Sequence, residues 1–325
     1  MRKQLFVTGV LLLAALGTRA QEAPVLPAVP QPRPDPTLVN PATDSAQAVR
    51  NLFRKRRNGG TAVALTNMGS TPLRAGAVDV GSTAGSAALL ARSNGSPIQT
   101  IDIYSQPEWA ALVVGDGSDI ADVADLAGKK VAATKGTDPY FFLLQSLEEA
   151  GVDPADVTIE NLQHADGATA LSNGSVDAWA GLDPIMAGAE EEGATLLYRN
   201  VDFNSYGFLN ATEEFLTEKP DVAQTVVDAY EKAREWAEEN PEETAQILAD
   251  VAGLDLAVAS TVIEERSNLD VDNVPGQAQL DVLSVIGPIL VESGDVASQD
   301  AVDEALDALL EPSFAEKADP SALDD

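Results

Sequence analysis

KVAATKGTDPYFFLLQSLEEAG, residues Lys130 to Gly151, is the stretch whose reading decides the fold. Lys130 to Thr134 reads as a short strand, small and apolar after its first residue. Lys135-Gly136-Thr137 turns the chain. Asp138-Pro139 opens a helix, Asp138 as its N-cap and Pro139 in its first turn. Phe141, Leu144 and Leu147 form the apolar stripe of that helix, and Gly151 ends it.

The same alternation continues on both sides, which makes the chain α/β. Ala110 to Val114 is a buried strand ending at Gly115, and Val157-Thr158-Ile159 is a short strand. Asp166 to Ser172 is a short helix stopped by Asn173-Gly174. Pro220 to Glu239 is the clearest helix. Val222, Val226, Tyr230, Ala233 and Ala237 share one of its faces, with Val227 and Trp236 at the flanks; Asp228, Glu231, Lys232 and Glu235 take the other. Asn240-Pro241 starts a further helix that ends at Gly253. From Pro312 onward the chain is polar and is expected to fray, with 318–325 a tail.

One pattern recurs. Leu73-x-x-Gly76-x-Val78-Asp79 returns as Leu171-x-x-Gly174-x-Val176-Asp177, every matched position offset by 98 residues. Each copy reads as a helix end, a glycine stop and a strand opening on Val-Asp. Small residues and an alanine-rich helix follow, Gly81 to Ala91 in one copy and Asp183 to Ala189 in the other. A repeated unit predicts two similar lobes whose equivalent loops face each other across a cleft, a geometry for gripping a small ligand.

Composition narrows the chemistry. The 325 residues suffice for two lobes with substantial cores, and 45% of them are hydrophobic. There is no cysteine and one histidine, His164, so thiolate sites, histidine metal clusters and cysteine nucleophiles are excluded. No cofactor or metal is expected. Net charge is −32, split unevenly: +7 over residues 1–75 and −39 over the rest. So acidic a surface repels phosphate, which excludes nucleic acid as a partner. Arg2 and Lys3, the apolar run Leu5 to Gly17 and Thr18-Arg19-Ala20 read as a signal peptide, residues 1–20, cleaved after Ala20. No other stretch approaches the length of a membrane helix. A soluble, monomeric periplasmic protein without a lipid anchor is the expectation. Residues 21–72 stand apart, with prolines at 24, 27, 30, 32, 34 and 36 and a basic knot at Arg54-Lys55-Arg56-Arg57.

Three segments carry a family resemblance: Ile120 through Tyr140, Gly174-Ser-Val-Asp-Ala-Trp-Ala-Gly-Leu-Asp-Pro184, and Glu235-Trp-Ala-Glu-Glu-Asn-Pro241. They resemble the aliphatic sulfonate-binding proteins of bacterial ABC importers, whose wider relatives bind taurine, nitrate or thiamine precursors. The resemblance covers about residues 73–270. It implies a type II-like, two-lobe periplasmic-binding-protein fold with two chain crossovers. Lobe 1 would comprise 36–113 and 204–317, and lobe 2 114–203. A small anion, sulfonate foremost, would bind in the cleft and pass to a transporter permease. The resemblance fails over 21–72, where relatives open with a strand, a cleft loop and a helix. That stretch is either divergent or read in a shifted frame, and the first β-α unit of lobe 1 is then degenerate.

The expected site follows from the loops. Lys135, Gly136 and Thr137 offer backbone N–H groups and a hydroxyl at a helix start, and Gly136 lets the backbone approach closely; ordinary helix capping uses the same donors. Gly81, Ser82 and Thr83 form the matching loop of lobe 1, again against simple capping. Trp179 walls the cleft or fills the core. Asp183 opens a helix beside it and suits an anion only if the ligand also carries an amine. Gln106, Glu108 and Trp109 precede the crossover strand; Tyr206 and Asn204 lie at the return crossover. Few arginines follow residue 75 (Arg92, Arg199, Arg234 and Arg266), so backbone dipoles would capture the anion, which favours sulfonate over carboxylate or phosphate. His164 with Asp166 is the one imaginable acid-base pair, and no nucleophile accompanies it, so an enzyme is not expected. The alternatives are a non-binding remnant with a damaged lobe 1 and a thiamine-precursor-related binding protein or enzyme.

Overall fold

The computed structural model describes residues 63–67 and 78–323. The chain first builds β1 (Val63–Asn67), β2 (Val80–Ala84), α1 (Gly85–Ser93) and β3 (Ile98–Ser105). It crosses to a second body: β4 (Ala110–Val114), β5 (Lys130–Ala133), α2 (Asp138–Glu149), β6 (Thr158–Asn161), α3 (His164–Ser172), β7 (Ala178–Leu182), α4 (Ile185–Glu191) and β8 (Thr195–Tyr198). It returns with β9 (Gly207–Thr212), then α5 (Glu213–Glu218), α6 (Pro220–Glu239), α7 (Pro241–Ala252), α8 (Leu256–Ser260), α9 (Gln277–Glu292) and α10 (Gln299–Leu309). Two sheets result, β1-β2-β9-β3 in lobe 1 and β6-β5-β7-β4-β8 in lobe 2.

The sequence echo lands on equivalent strands. β2 begins at Val80 and β7 at Ala178, again 98 residues apart. Each is parallel to one neighbour (β1, β5) and antiparallel to the other (β9, β4). The helix expected at Gly81 is a strand as far as Ala84, and α1 starts only at Gly85, because Val80 to Ala84 pair residue by residue with Ala211 to Gly207. In the second copy the helix starts at Ile185.

The expected anomaly at 21–72 ends in a structural element: β1 joins the lobe 1 sheet beside β2. The signal peptide, the prolines at 24–36 and the basic knot lie outside the described residues. β4 pairs with β7 and β8, so the outgoing crossover falls at residues 106–109, earlier than the expected lobe boundary at 113. The segment from Pro312 does not fray. Phe314 and Ala318 pack on the α6 core face, and the Gln224 amide donates to the Phe314 carbonyl at 3.1 Å.

Packing follows the apolar faces. Val226, Tyr230 and Ala233 of α6 bury against Val80, Ile101 and Leu209 of the lobe 1 sheet. Each such side chain contributes roughly 1.5–3 kcal/mol by leaving water. In α2 the buried face is wider than the expected stripe. Phe142, Leu143 and Leu147 pack into lobe 2, whereas Phe141 packs into lobe 1 among Ala88, Leu89, Phe208 and Leu283; Leu144 is only half-buried. Phe141 therefore stitches the first turn of a lobe 2 helix into the core of lobe 1. α7 and α8 meet lobe 2 at Ala187 of α4.

Candidate functional site

The turn at 135–137 brings α2 to the junction of both lobes and both crossovers. Gly136 has φ +76°, a left-handed conformation that glycine adopts without strain. Thr137, not Asp138, is the N-cap residue, and its hydroxyl donates to the Thr134 carbonyl at 2.6 Å. Asp138 is the first helical residue and its carboxylate reaches away from its own helix. Ser86, on the first turn of α1 in lobe 1, donates its hydroxyl to Oδ1. Trp109 Nε1, from the outgoing crossover, donates to Oδ2 at 2.7 Å. Ser205 Oγ, from the return crossover, donates to the same oxygen at 2.6 Å. Ser205 Oγ also accepts from the Ser86 backbone N–H at 3.4 Å, and the Tyr206 carbonyl accepts from Gly85 N–H at 2.9 Å. Burial pushes the Asp138 pKa above its ordinary value, and the three donors pull it back. The correction to the N-cap expectation has this physical cause: three side-chain donors across the junction outbid the helix's own N–H groups.

The other expected site residues are placed as follows. Lys135 is exposed, with its backbone N–H donated to Asn161 Oδ1 at 3.1 Å. Gly136 and Thr137 are half-buried at the junction. Gly81, Ser82 and Thr83 are not a loop but the middle of β2. Thr83 accepts from Asn210 Nδ2 at 2.9 Å and Ser82 lies beside the hydroxyls of Tyr104 and Tyr230. The helix-start hydroxyl of lobe 1 is Ser86 instead. Trp109 reaches the junction. Gln106 is half-buried and ties its backbone N–H to Asn268 at 3.1 Å, while Glu108 grips Arg199 at 2.6 and 3.0 Å. Asn204 clamps the two crossovers together: its Oδ1 accepts from Ala110 N–H at 2.8 Å, and its Nδ2 donates to Ala110 and Asn200 carbonyls at 3.3 and 2.9 Å. Trp179 is 1% exposed inside lobe 2, packed with Ala132, Leu171 and Met186.

Asp183 is engaged by a cation. Arg266, at the end of a π-helical turn (Thr261–Arg266), places Nη1 3.0 and 3.2 Å from the two Asp183 oxygens and pairs with Glu190 as well. Burial pushes Asp183 up to about 6, against the pull of Arg266, so the pair is ionised at neutral pH. Arg92, Arg199 and Arg234 pair with Glu213, Glu108 and Glu231. Each arginine that follows residue 75 is thus tied to a carboxylate. His164 opens α3 instead of lying in a loop. It is buried, Nδ1 stands 3.2 Å from Thr134 Oγ1, and burial lowers its pKa to about 4. Asp166 is exposed. A separate groove of about 1120 Å³ runs between α3, α4 and the α7–α8 corner and contains none of the expected ligand residues. Among the described residues no helix is long and apolar enough to cross a membrane, and no cluster of metal-ligating side chains occurs.

The sequence signals for Ser86, Ser205 and Arg266 were absent. A serine one turn into a helix, a serine before a strand and an arginine in a π turn carry no motif; only the fold assembles them.

Comparison with known proteins fits this architecture. The chain is 29% identical over 197 residues to an aliphatic sulfonates-binding protein of Escherichia coli (strain K12), covering 60% of this chain and 62% of that one. It is 32% identical over 162 residues to a protein of the same name from Bacillus subtilis (strain 168), covering 49% of each. It thus spans less than two thirds of either relative. Among solved structures, the periplasmic aliphatic sulphonate binding protein SsuA from Escherichia coli superposes with a TM-score of 0.69 at 24% identity, over 83% of this chain and 88% of that one. The desulfurization enzyme DSZB, in complex with biphenyl-2-sulfinic acid, gives 0.64 at 14% identity, over 85% and 95%. Binding proteins and an enzyme therefore share the fold, which is that of the periplasmic binding proteins. The family model described as NMT1/THI5 like matches residues 66–244, over half of the sequence, and the chain belongs to that family.

Proposed function

We propose that this protein is a periplasmic solute-binding component of an ABC importer, taking an aliphatic sulfonate or similar small anion between its lobes. The observation that carries the reading is convergence: the first turns of α1 and α2, from opposite lobes, meet at one point with both crossovers. Helix starts aimed at one point favour negative charge. The relatives named above are sulfonate-binding proteins, and the four arginines beyond residue 75 are committed to carboxylates, which supports capture by hydroxyls and backbone N–H groups. A permease partner, a monomeric state and export by a cleaved signal peptide belong to the same proposal. So does the absence of catalysis: His164 has a depressed pKa and faces Thr134, with no nucleophile beside it.

A second reading, a non-binding remnant of the family, is favoured by one observation. The junction is filled by this chain's own Asp138 and Phe141. Thermal unfolding of the purified mature chain with millimolar alkanesulfonates, taurine and nitrate separates the two. A solute at 100 times its Kd adds about 2.7 kcal/mol of stability, a readily measured rise in Tm. A rise with one solute names the ligand class; a cooperative transition indifferent to every small anion favours the remnant.

A further inference from the structure

We infer that Asp138 occupies, with its own carboxylate, the place between the lobes where an oxyanion head would sit, so that the chain carries a built-in competitor for its ligand class. The inference rests on the solute-binding reading above. Three side-chain donors from three separate stretches, Ser86, Trp109 and Ser205, converge on the two oxygens of one carboxylate. No lysine or arginine is among those partners. A buried carboxylate held by hydroxyl, indole and helix-start donors alone is how proteins hold an oxyanion ligand, not how they hold an ion pair. Asp138 is 6% exposed, so the donors are shielded from water and fully committed.

The position of Asp138 in its helix supports the same conclusion. An aspartate at a helix start ordinarily satisfies N–H groups of its own first turn. Here the Oδ atoms turn outward to the opposite lobe and the two crossovers, and Thr137 makes no side-chain cap in its stead. The carboxylate therefore plays the part of a ligand supplied by the polypeptide. A second full negative charge cannot share the three donors, because two anions in contact repel strongly in a site that excludes water. A free oxyanion enters this place only if Asp138 leaves it.

Calorimetric titration of the mature chain with methanesulfonate and with inorganic sulfate, at pH 7.5 and constant ionic strength, tests this. Asp138→Ser and Asp138→Gly remove the carboxylate and leave the donors; both are expected to bind methanesulfonate at least tenfold more tightly than the unaltered protein. Asp138→Asn removes the charge but keeps the shape and is expected to show little of that gain. A thermal scan of each variant confirms that it is folded, and the serine variant stands in should the glycine variant unfold. A gain in the asparagine variant equal to that in the serine variant would overturn occupancy in favour of general repulsion. Equal binding of longer alkanesulfonates by the serine variant and the unaltered protein would overturn the inference while leaving the solute-binding reading intact. Silence of all proteins toward every sulfonate would overturn both.

Discussion

The two lobes share a topology and differ in what they bury. The central strands of lobe 2 are apolar on both faces: Ala110 to Val114, Val131 to Ala133 and Ala178 to Ala180. The matching strands of lobe 1 bury Ser82, Thr83, Thr100, Asp102 and Asn210. Thr100 donates to Asn210 at 2.8 Å and Asn210 to Thr83 at 2.9 Å, a side-chain ladder across β3, β9 and β2. Asp102 is pushed well above the ordinary carboxylate range by burial, with Glu231 adding to the push. Lobe 2 is held by hydrophobic contact, which is non-directional. Lobe 1 depends on directional bonds that lose their worth when one partner is absent.

The largest effect expected from probing this contrast comes from the residue that joins the lobes. Phe141→Ala should cost about 3–5 kcal/mol, as buried phenylalanine truncations do, and should split one cooperative urea transition into two. A single transition with an unchanged midpoint would show that the lobes are coupled elsewhere. Next comes the ladder. Asn210→Ala leaves Thr83 and Thr100 without their shared partner in the interior, an expected loss of about 2 kcal/mol in the lobe 1 transition alone. The smallest effect is a slope. His164 titrates near 4 when folded and near 6.5 when unfolded, so its neutral form is the one the fold favours. That contribution is present above pH 6.5 and is lost as pH falls toward 4. Asp183, raised to about 6, acts in the opposite direction over the same range, its contribution being lost as pH rises from about 4 through 6. Comparing urea midpoints of the unaltered protein and His164→Gln between pH 4 and 7 isolates the histidine; parallel curves would mean that it stays neutral in both states.

The same contrast governs what the sequence made legible. The strands at Ala110 and Lys130 announce themselves because their residues are apolar on both faces. β3 and β9 carry no such announcement: Ile-Gln-Thr-Ile-Asp-Ile-Tyr-Ser and Gly-Phe-Leu-Asn-Ala-Thr mix polar and apolar residues, all of them at least half-buried. Helices α6 and α7 are readable from their proline starts, and Gly253 takes the left-handed φ of +69° that a helix stop needs. In the candidate site, Lys135-Gly136-Thr137 is visible as a turn before a helix. The direction of the Asp138 carboxylate is not, because local sequence favours a cap and only the folded junction offers better donors. Trp179 and Asp183 were equally ambiguous. Tryptophan in a strand fits core or cleft, and the partner of Asp183 lies 83 residues further along.

The strand order of lobe 1 also sets a timetable for folding during synthesis. β9 lies between β2 and β3, yet it is made about a hundred residues after β3. Lobe 2, continuous from Ala110 to Tyr198, has every strand of its sheet in hand before β9 exists. At the usual pace of elongation, roughly 5–20 residues per second, β2 and β3 wait about 5–20 s for the strand that joins them. Through that interval β3 is an open-edged strand with no neighbour on the β9 side, the condition in which strands pair with the wrong chain. The charges that flank it at Arg92 and Glu108, and the aspartate at its centre, are then its protection against self-association.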